Sequence, residues 1–379
     1  MDMKRLFPVF LAIMLLSGLI LAGCGSDTTT NTTAAVTTTA GGATDTTAGG
    51  ATDTTAAATT DTTAKGETYY LRWAQFATAT LEDSAPQIKM VENVYNRTNG
   101  RCKIELFWSD SLVPMFEALD AVRLGSAEMA SFPFGPFGGM DPRFASSEMP
   151  LYYNTIEAQV EAQSALMPSY SGVFEEKFNQ KALQVRSILP LNIGSVKKPI
   201  KTLADWNKVL TQTISPAVTA IVEKLGGVGA PASPIDVYEL LQKGTVDATV
   251  QSLGKYVEAK LWEVCDYFTN AMLISASCAT TINLDVWNKL PKDIQDIITE
   301  EALAAEQEIN RLEIELYNKY LDQLRANNMQ VYDLPAAERA KWQEAVKPVV
   351  DAMLSNMGDF ANDVKATADA ANAKYPYPY

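Results

Sequence analysis

The side chains best placed to do chemistry in this chain point to binding rather than bond breaking. Gln75, Ser109-Asp110, Phe132-Pro133-Phe134 and Gln251 each end a strand-like apolar run. In open parallel sheets, small molecules sit beyond the carboxyl ends of the strands. Amides and hydroxyls at such ends hydrogen-bond a polar solute, and the rings of Phe132 and Phe134 can sandwich a flat or apolar body. Bond-making chemistry has a reduced toolkit. The chain has no His, which removes Ser-His-Asp and Cys-His catalysis, His-x-x-x-His metal sites and the usual proton shuttle. It has no Gly-x-x-x-x-Gly-Lys-Ser/Thr loop and no Gly-x-Ser-x-Gly elbow, and Gly226-Gly227-Val228-Gly229 is not a dinucleotide fingerprint. A hydrolase with two cleft carboxylates stays open, because paired acids need no fixed spacing. Binding is favoured over catalysis, with no cofactor and no metal expected.

The elements that must position these residues alternate. Tyr69-Tyr70-Leu71-Arg72-Trp73-Ala74 reads as a strand, and Ser84 with Pro86 starts a helix that Gly100 ends. Ile104-Glu105-Leu106-Phe107-Trp108 is a second strand, residues 116–124 a short helix, and Glu128-Met129-Ala130-Ser131-Phe132 leads into a loop. That order predicts an α/β fold on a parallel sheet with right-handed crossovers. The register restarts near the middle, with strands over residues 183–189 and 191–196. Helices follow over 216–225 and 236–241, and a strand over 246–250 ends at Gln251. From Pro291 to Asn328 the chain has neither Pro nor Gly after the first residue. At 1.5 Å per residue an unbroken helix there spans roughly 55 Å, longer than one domain is wide. Its apolar residues follow a broad face better than a strict heptad, so bridging two lobes is preferred to a coiled-coil stem.

The start of the chain reads as an export signal. Lys4 and Arg5 precede an apolar run over residues 6–20, and Leu21-Ala22-Gly23 precedes Cys24. That ending resembles the lipobox of bacterial lipoproteins, in which the cysteine is lipidated; a plain signal anchor is the alternative. Residues 25–66 are almost all Thr, Ala, Gly and Asp. Gly41-Gly42-Ala43-Thr44-Asp45-Thr46-Thr47-Ala48 repeats directly as residues 49–56. Such a segment has too little apolar surface to fold and reads as a disordered tether of roughly 35 Å r.m.s. span. The rest exceeds 300 residues, more than one core usually supports, so two lobes are expected. A net charge of −14 across 379 residues argues against nucleic acid and against a polybasic membrane face. Cys102, Cys265 and Cys278 form no Cys-x-x-Cys pair; small apolar filler is preferred to a Cys265–Cys278 bridge.

Further along, the chain resembles the solute receptors of tripartite ATP-independent periplasmic (TRAP) transporters. The resemblance rests on Thr98-Asn99-Gly100-Arg101-Cys102-Lys103-Ile104-Glu105 and Ala121-Val122-Arg123-Leu124-Gly125-Ser126-Ala127-Glu128-Met129-Ala130. It continues in Lys197-Lys198-Pro199-Ile200-Lys201-Thr202-Leu203-Ala204-Asp205-Trp206 and in residues 236–248 and 286–291. It implies a two-lobed periplasmic-binding-protein fold (type II-like) with a hinge and a domain-spanning helix. It also implies closure on a small organic acid and delivery to a membrane permease. In that family an arginine commonly clamps the substrate carboxylate at the position where this chain has Gln212. The departure leaves three readings open: Arg186 or another Arg compensates, the ligand is neutral or amide-like, or binding has been lost. Gln251 stands where the family shows a polar contact.

The site expected from these readings comprises Gln75, Phe132, Phe134, Asn154, Arg186, Asn192, Gln212 and Gln251, with lipidation at Cys24. Asn154 and Asn192 enter because both lie near the first expected lobe crossing. The expected organisation is a signal peptide over 1–23 and a lipidated tether over 24–66. Lobe one takes 67–190 and 277–290, lobe two takes 191–276, and the spanning and C-terminal helices take 291–379. The function expected is a monomeric, lipid-anchored extracytoplasmic solute receptor. A ligand sensor for a membrane signalling protein is the alternative, and the hydrolase is third.

Overall fold

The structure, a computed structural model, describes residues 67–379; the signal segment, Cys24 and the tether lie outside the described residues. Nine strands form one sheet. They are β1 (Tyr69–Gln75), β2 (Cys102–Phe107), β3 (Met129–Pro133), β4 (Gln180–Ser195), β5 (Leu210–Thr213), β6 (Val228–Pro231), β7 (Ala248–Ser252), β8 (Tyr267–Asn283) and β9 (Gln330–Asp333). Their order is β2-β1-β3-β8-β4-β7-β5-β6, with β9 alongside β8. The two outer groups, β2-β1-β3 and β7-β5-β6, are parallel as the strand–helix alternation predicts. The central pair β4 and β8 is antiparallel and unusually long.

That pair makes the molecule two-lobed. The first part of β4 pairs with the last part of β8, next to β3, and the last part of β4 pairs with the first part of β8, next to β7. Between the two parts the register shifts, around Ile188, Leu191 and Ile193. Pro190, which has no N–H to donate, sits in this stretch, so β4 passes through where the sequence suggests a break into two strands. On β8, Met272 takes a left-handed φ of 50° at the same level.

Each lobe has its own core. Rings of Phe132, Phe134, Phe144, Tyr170 and Phe174 fill the first, and Trp206, Ile221, Val222 and Trp342 lie at the centre of the second. The helix Lys292–Ala326 joins them. Its Ile294, Ile298 and Ala302 pack with Leu71, Trp73 and Ile104, whereas Leu316, Tyr320 and Leu324 pack with Leu241, Leu253 and Phe268. The apolar face is thus consumed within the fold, as a bridging helix requires and a coiled-coil stem does not. Polar groups on the same face reach the strand between the lobes. Glu306 accepts the Val185 N–H (3.0 Å), Asn310 accepts that of Ser187 (3.2 Å), and Gln184 donates to the Ala302 carbonyl (2.9 Å). Cys102, Cys265 and Cys278 are buried free thiols, the filler role expected of them.

Close packing in the second lobe makes a test. A methyl group on Gly194 of β4 would lie 2.5 Å from Cε1 and 2.7 Å from the hydroxyl of Tyr256. That ring is fully buried and donates to the carbonyls of Asn192 and Thr249. Gly194→Ala is therefore expected to lower the urea-unfolding free energy by about 1–3 kcal/mol. Gly172→Ala, in the helix Met167–Phe178 with open space at its Cβ, is expected to raise it by up to about 1 kcal/mol. Equal effects at the two positions would contradict this packing.

Candidate functional site

A cavity of about 300 Å³ lies between the lobes, walled by residues of both. Its walls are largely apolar: Leu81, Met115 and Pro133 come from the first lobe, Ile214 and Pro234 from the second, and Leu316 and Tyr320 from the long helix. Arg186 stands in this wall. It is 2% exposed, and its Nη1 is 4.0 Å from carboxylate oxygens of both Asp83 and Glu313. Among the described residues its Nε and Nη1 have no hydrogen-bond partner, and neither does Oε2 of Glu313. Burial, and then Asp83 alongside, push the Glu313 carboxyl well above its usual range.

The second lobe contributes Gln251, which is set by a chain of amides. Gln212 donates to the Ala232 carbonyl (2.8 Å), and its Oε1 accepts from Thr249 Oγ1 (2.6 Å) and from the Gln251 amide (2.9 Å). Gln212 is fully buried and absent from the cavity wall. It therefore orients Gln251, whose own amide borders the cavity.

The first lobe adds Asp110 on a loop with two consecutive left-handed residues, Ser109 (φ 56°) and Asp110 (φ 59°). Such conformations cost of order 1–3 kcal/mol each outside glycine and concentrate at ligand sites. Two bonds hold the loop: Ser109 N–H to the Ala77 carbonyl (2.9 Å) and Asp110 N–H to the Gln75 carbonyl (3.0 Å). Burial raises the Asp110 carboxyl, although the Met115 N–H partly compensates. Glu148, also in the wall, is fully buried and pushed up to about 7 by that burial. It accepts from Ser215 Oγ (2.8 Å), which in turn caps the helix Pro216–Leu225.

Of the residues singled out in the sequence, Ser109, Asp110, Pro133, Arg186 and Gln251 share the cavity wall. Gln75, Phe132, Phe134, Asn154, Asn192 and Gln212 do not line it. Gln75 is buried one residue before the wall residue Phe76. Phe132 and Phe134 flank the wall residue Pro133 but turn into the first-lobe core, 5.6 Å from Phe137 and 4.8 Å from Tyr170 respectively. Asn154 binds Asn372 and Arg339, tying down the helices that end the chain. Asn192 accepts the Ala271 N–H (2.9 Å), fastening β4 to β8 at the crossing. Sequence reasoning missed Asp83, Glu148, Glu313 and Tyr320. A signal existed for one: Glu306, Asn310 and Glu313 recur at helical spacing on a face that is otherwise apolar. Among the described residues no cluster of His, Cys, Asp and Glu is suited to a metal ion.

Residues 78–356 match the family model of bacterial extracellular solute-binding protein, family 7. The chain belongs to this family. A relative of this family-7 receptor is the C4-dicarboxylate-binding periplasmic protein DctP of Rhodobacter capsulatus, 26% identical over 282 residues, covering 71% of this chain and 82% of that one. A monocarboxylate 2-oxoacid-binding periplasmic protein of Nostoc is 27% identical over 219 residues, 55% of this chain and 58% of its own. The fold is that of solved receptors. One from Bordetella pertussis that binds pyroglutamic acid superposes with a TM-score of 0.75 at 17% identity, over 79% of this chain and 99% of that one. A TRAP solute-binding protein from Desulfovibrio salexigens with bound orotic acid gives 0.72 at 21%, over 81% and 99%. No described helix of the receptor is long and apolar enough to cross a membrane.

The buried acids predict a pH dependence of stability. Burial pushes Glu306 from 4.5 up to about 7 in the folded receptor, even though it accepts the Val185 N–H. A carboxyl raised by folding supports stability fully below its unfolded value and loses that support as pH rises through the folded one. The unfolding free energy is therefore expected to fall between about pH 4.5 and just above pH 7. Glu306→Gln keeps an acceptor for Val185 and cannot ionise, so it should flatten this fall and be more stable at pH 8 by up to about 3 kcal/mol. Superimposable pH profiles for the two proteins would contradict the burial of Glu306.

Proposed function

We propose that this receptor captures a small organic acid between its lobes, with Arg186 as the anion anchor, and delivers it to a TRAP-type membrane permease. The carrying observation is the guanidinium of Arg186, kept from water at the cavity wall with two N–H groups unpartnered. An acid group is the natural partner, because Arg presents a rigid fork that a carboxylate matches bidentately. The relatives named for dicarboxylate and 2-oxoacid binding support the same ligand class. In this reading Arg186 takes the task of the arginine that position 212 lacks, and Gln212 serves by holding Gln251. The lobes divide at Pro190 and near residue 276, where the register of the central strands breaks. A ligand touching Arg186 and Gln251 together favours the closed form through contacts with both lobes.

The protein works as a monomer, since the apolar face of its long helix is spent inside its own fold. It is tethered outside the cytoplasm through a lipid on Cys24. Incorporation of a radiolabelled fatty acid should be lost in Cys24→Ser; equal labelling of both proteins would contradict the anchor.

Thermal unfolding against aliphatic, oxo, hydroxy and aromatic acids tests the ligand class. At a hundred times its dissociation constant a ligand adds about 2.7 kcal/mol. Arg186→Gln is expected to weaken the binding of an active acid roughly 100-fold, and Gln212→Ala roughly tenfold, through a loosened Gln251. Unchanged affinity in Arg186→Gln would overturn the assignment.

A further inference from the structure

We propose that the ligand carries a hydrogen-bond-donating nitrogen beside its acid group, as an ammonium or a ring N–H, received by the carboxylates of Glu313 and Asp110. This rests on the organic-acid reading above and narrows it to amino- or lactam-type acids. The charges in the cavity wall motivate it. Five carboxylates, Asp83, Asp110, Glu148, Glu258 and Glu313, face two cations, Arg186 and Lys255. Lys255 and Glu258 pair with each other at 3.3 Å, and Glu148 is occupied with the Ser215 hydroxyl. What remains is one guanidinium among three acids.

The unpartnered atoms in the wall are of both kinds. Nε and Nη1 of Arg186 can only donate, whereas Glu313 Oε2 and Asp110 Oδ1 accept, and none of the four has a partner among the described residues. Arg186 and Glu313 are 2% and 1% exposed, so water does not readily substitute. A simple carboxylate would satisfy the guanidinium but bring a further negative charge to a group already 4.0 Å from both Asp83 and Glu313. It would also leave both acceptors unpaired. A nitrogen donor on the same molecule completes those acceptors and, as an ammonium, also offsets the added charge. Sites built with buried polar groups reject analogues that lack the matching group far more strongly than apolar pockets reject a missing methylene. The apolar walls formed by Ile214, Leu316 and Tyr320 would then take the carbon skeleton.

The test compares matched pairs by calorimetric titration of the intact protein at pH 7. The pairs are leucine against ketoleucine, phenylalanine against phenylpyruvate, and pyroglutamate against the lactone with oxygen in place of its ring N–H. At least one nitrogen-bearing member is expected to bind at least tenfold more tightly than its counterpart. That preference should shrink at least tenfold in Asp110→Asn or Glu313→Gln, either of which suffices if the other fails to fold. If the oxo acids or the lactone bind as tightly as their partners, the proposal falls while the organic-acid receptor stands. A nitrogen preference unchanged in both variants would also overturn it. If no acid of either kind binds, the organic-acid reading falls and takes this one with it.

Discussion

A guanidinium cannot shed its charge, so Arg186, once removed from water, imposes a demand that the rest of the site must meet. Two carboxylates stand near it, at distances too long for hydrogen bonds, and two of its N–H groups remain unpartnered. An arginine fully paired inside the protein would be a structural ion pair. Left without close partners at the edge of a cavity, it can receive an anion, and as the proposed anchor its strength would depend on how far Asp83 and Glu313 already satisfy it. The Glu313 carboxyl, pushed above its usual range by burial and by Asp83 alongside, belongs to the same balance.

The fold holds that balance in place through the two strands that cross between the lobes. Arg186 lies on β4 just before the register breaks, paired with Cys278 in the first-lobe part of the sheet, and its side chain borders the cavity between the lobes. The long helix runs along the same strand. Glu306 and Asn310 hold the backbone of Val185 and Ser187 on either side of Arg186, and one turn further on Glu313 meets its side chain. From the other lobe, Gln212 fixes the amide of Gln251. At position 212, where the resemblance implies an arginine, a buried amide holds Gln251, and the buried guanidinium of the cavity wall is that of Arg186.

Much of the scaffold was legible because it depends on periodicity and caps. The outer strands, the short helices closed by Gly125 and Gly226, and the long helix after Pro291 all follow from such patterns. Two central features did not. Pro190 looks like a strand end, yet a missing N–H is tolerated where the ladder is already irregular. The run forming β8 mixes small, polar and apolar residues without alternation, because it is buried on both faces. The site was harder still. Strand ends located the cleft, but successive side chains on a strand face opposite ways. Gln75, Phe132 and Phe134 therefore lie one residue from the wall residues Phe76, Pro133 and Gly135. Glu313 reads as one more acid in an acid-rich helix, and only its spacing from Glu306 and Asn310 marks it.

The most direct measurement is a crystal structure of the protein with a bound acid. The account predicts acid oxygens within about 3 Å of Nε and Nη1 of Arg186, with the Gln251 amide on the ligand and Gln212 still holding that amide. An acid group seated on Gln212, with Arg186 still 4.0 Å from Asp83 and Glu313 and touching no ligand, would contradict it.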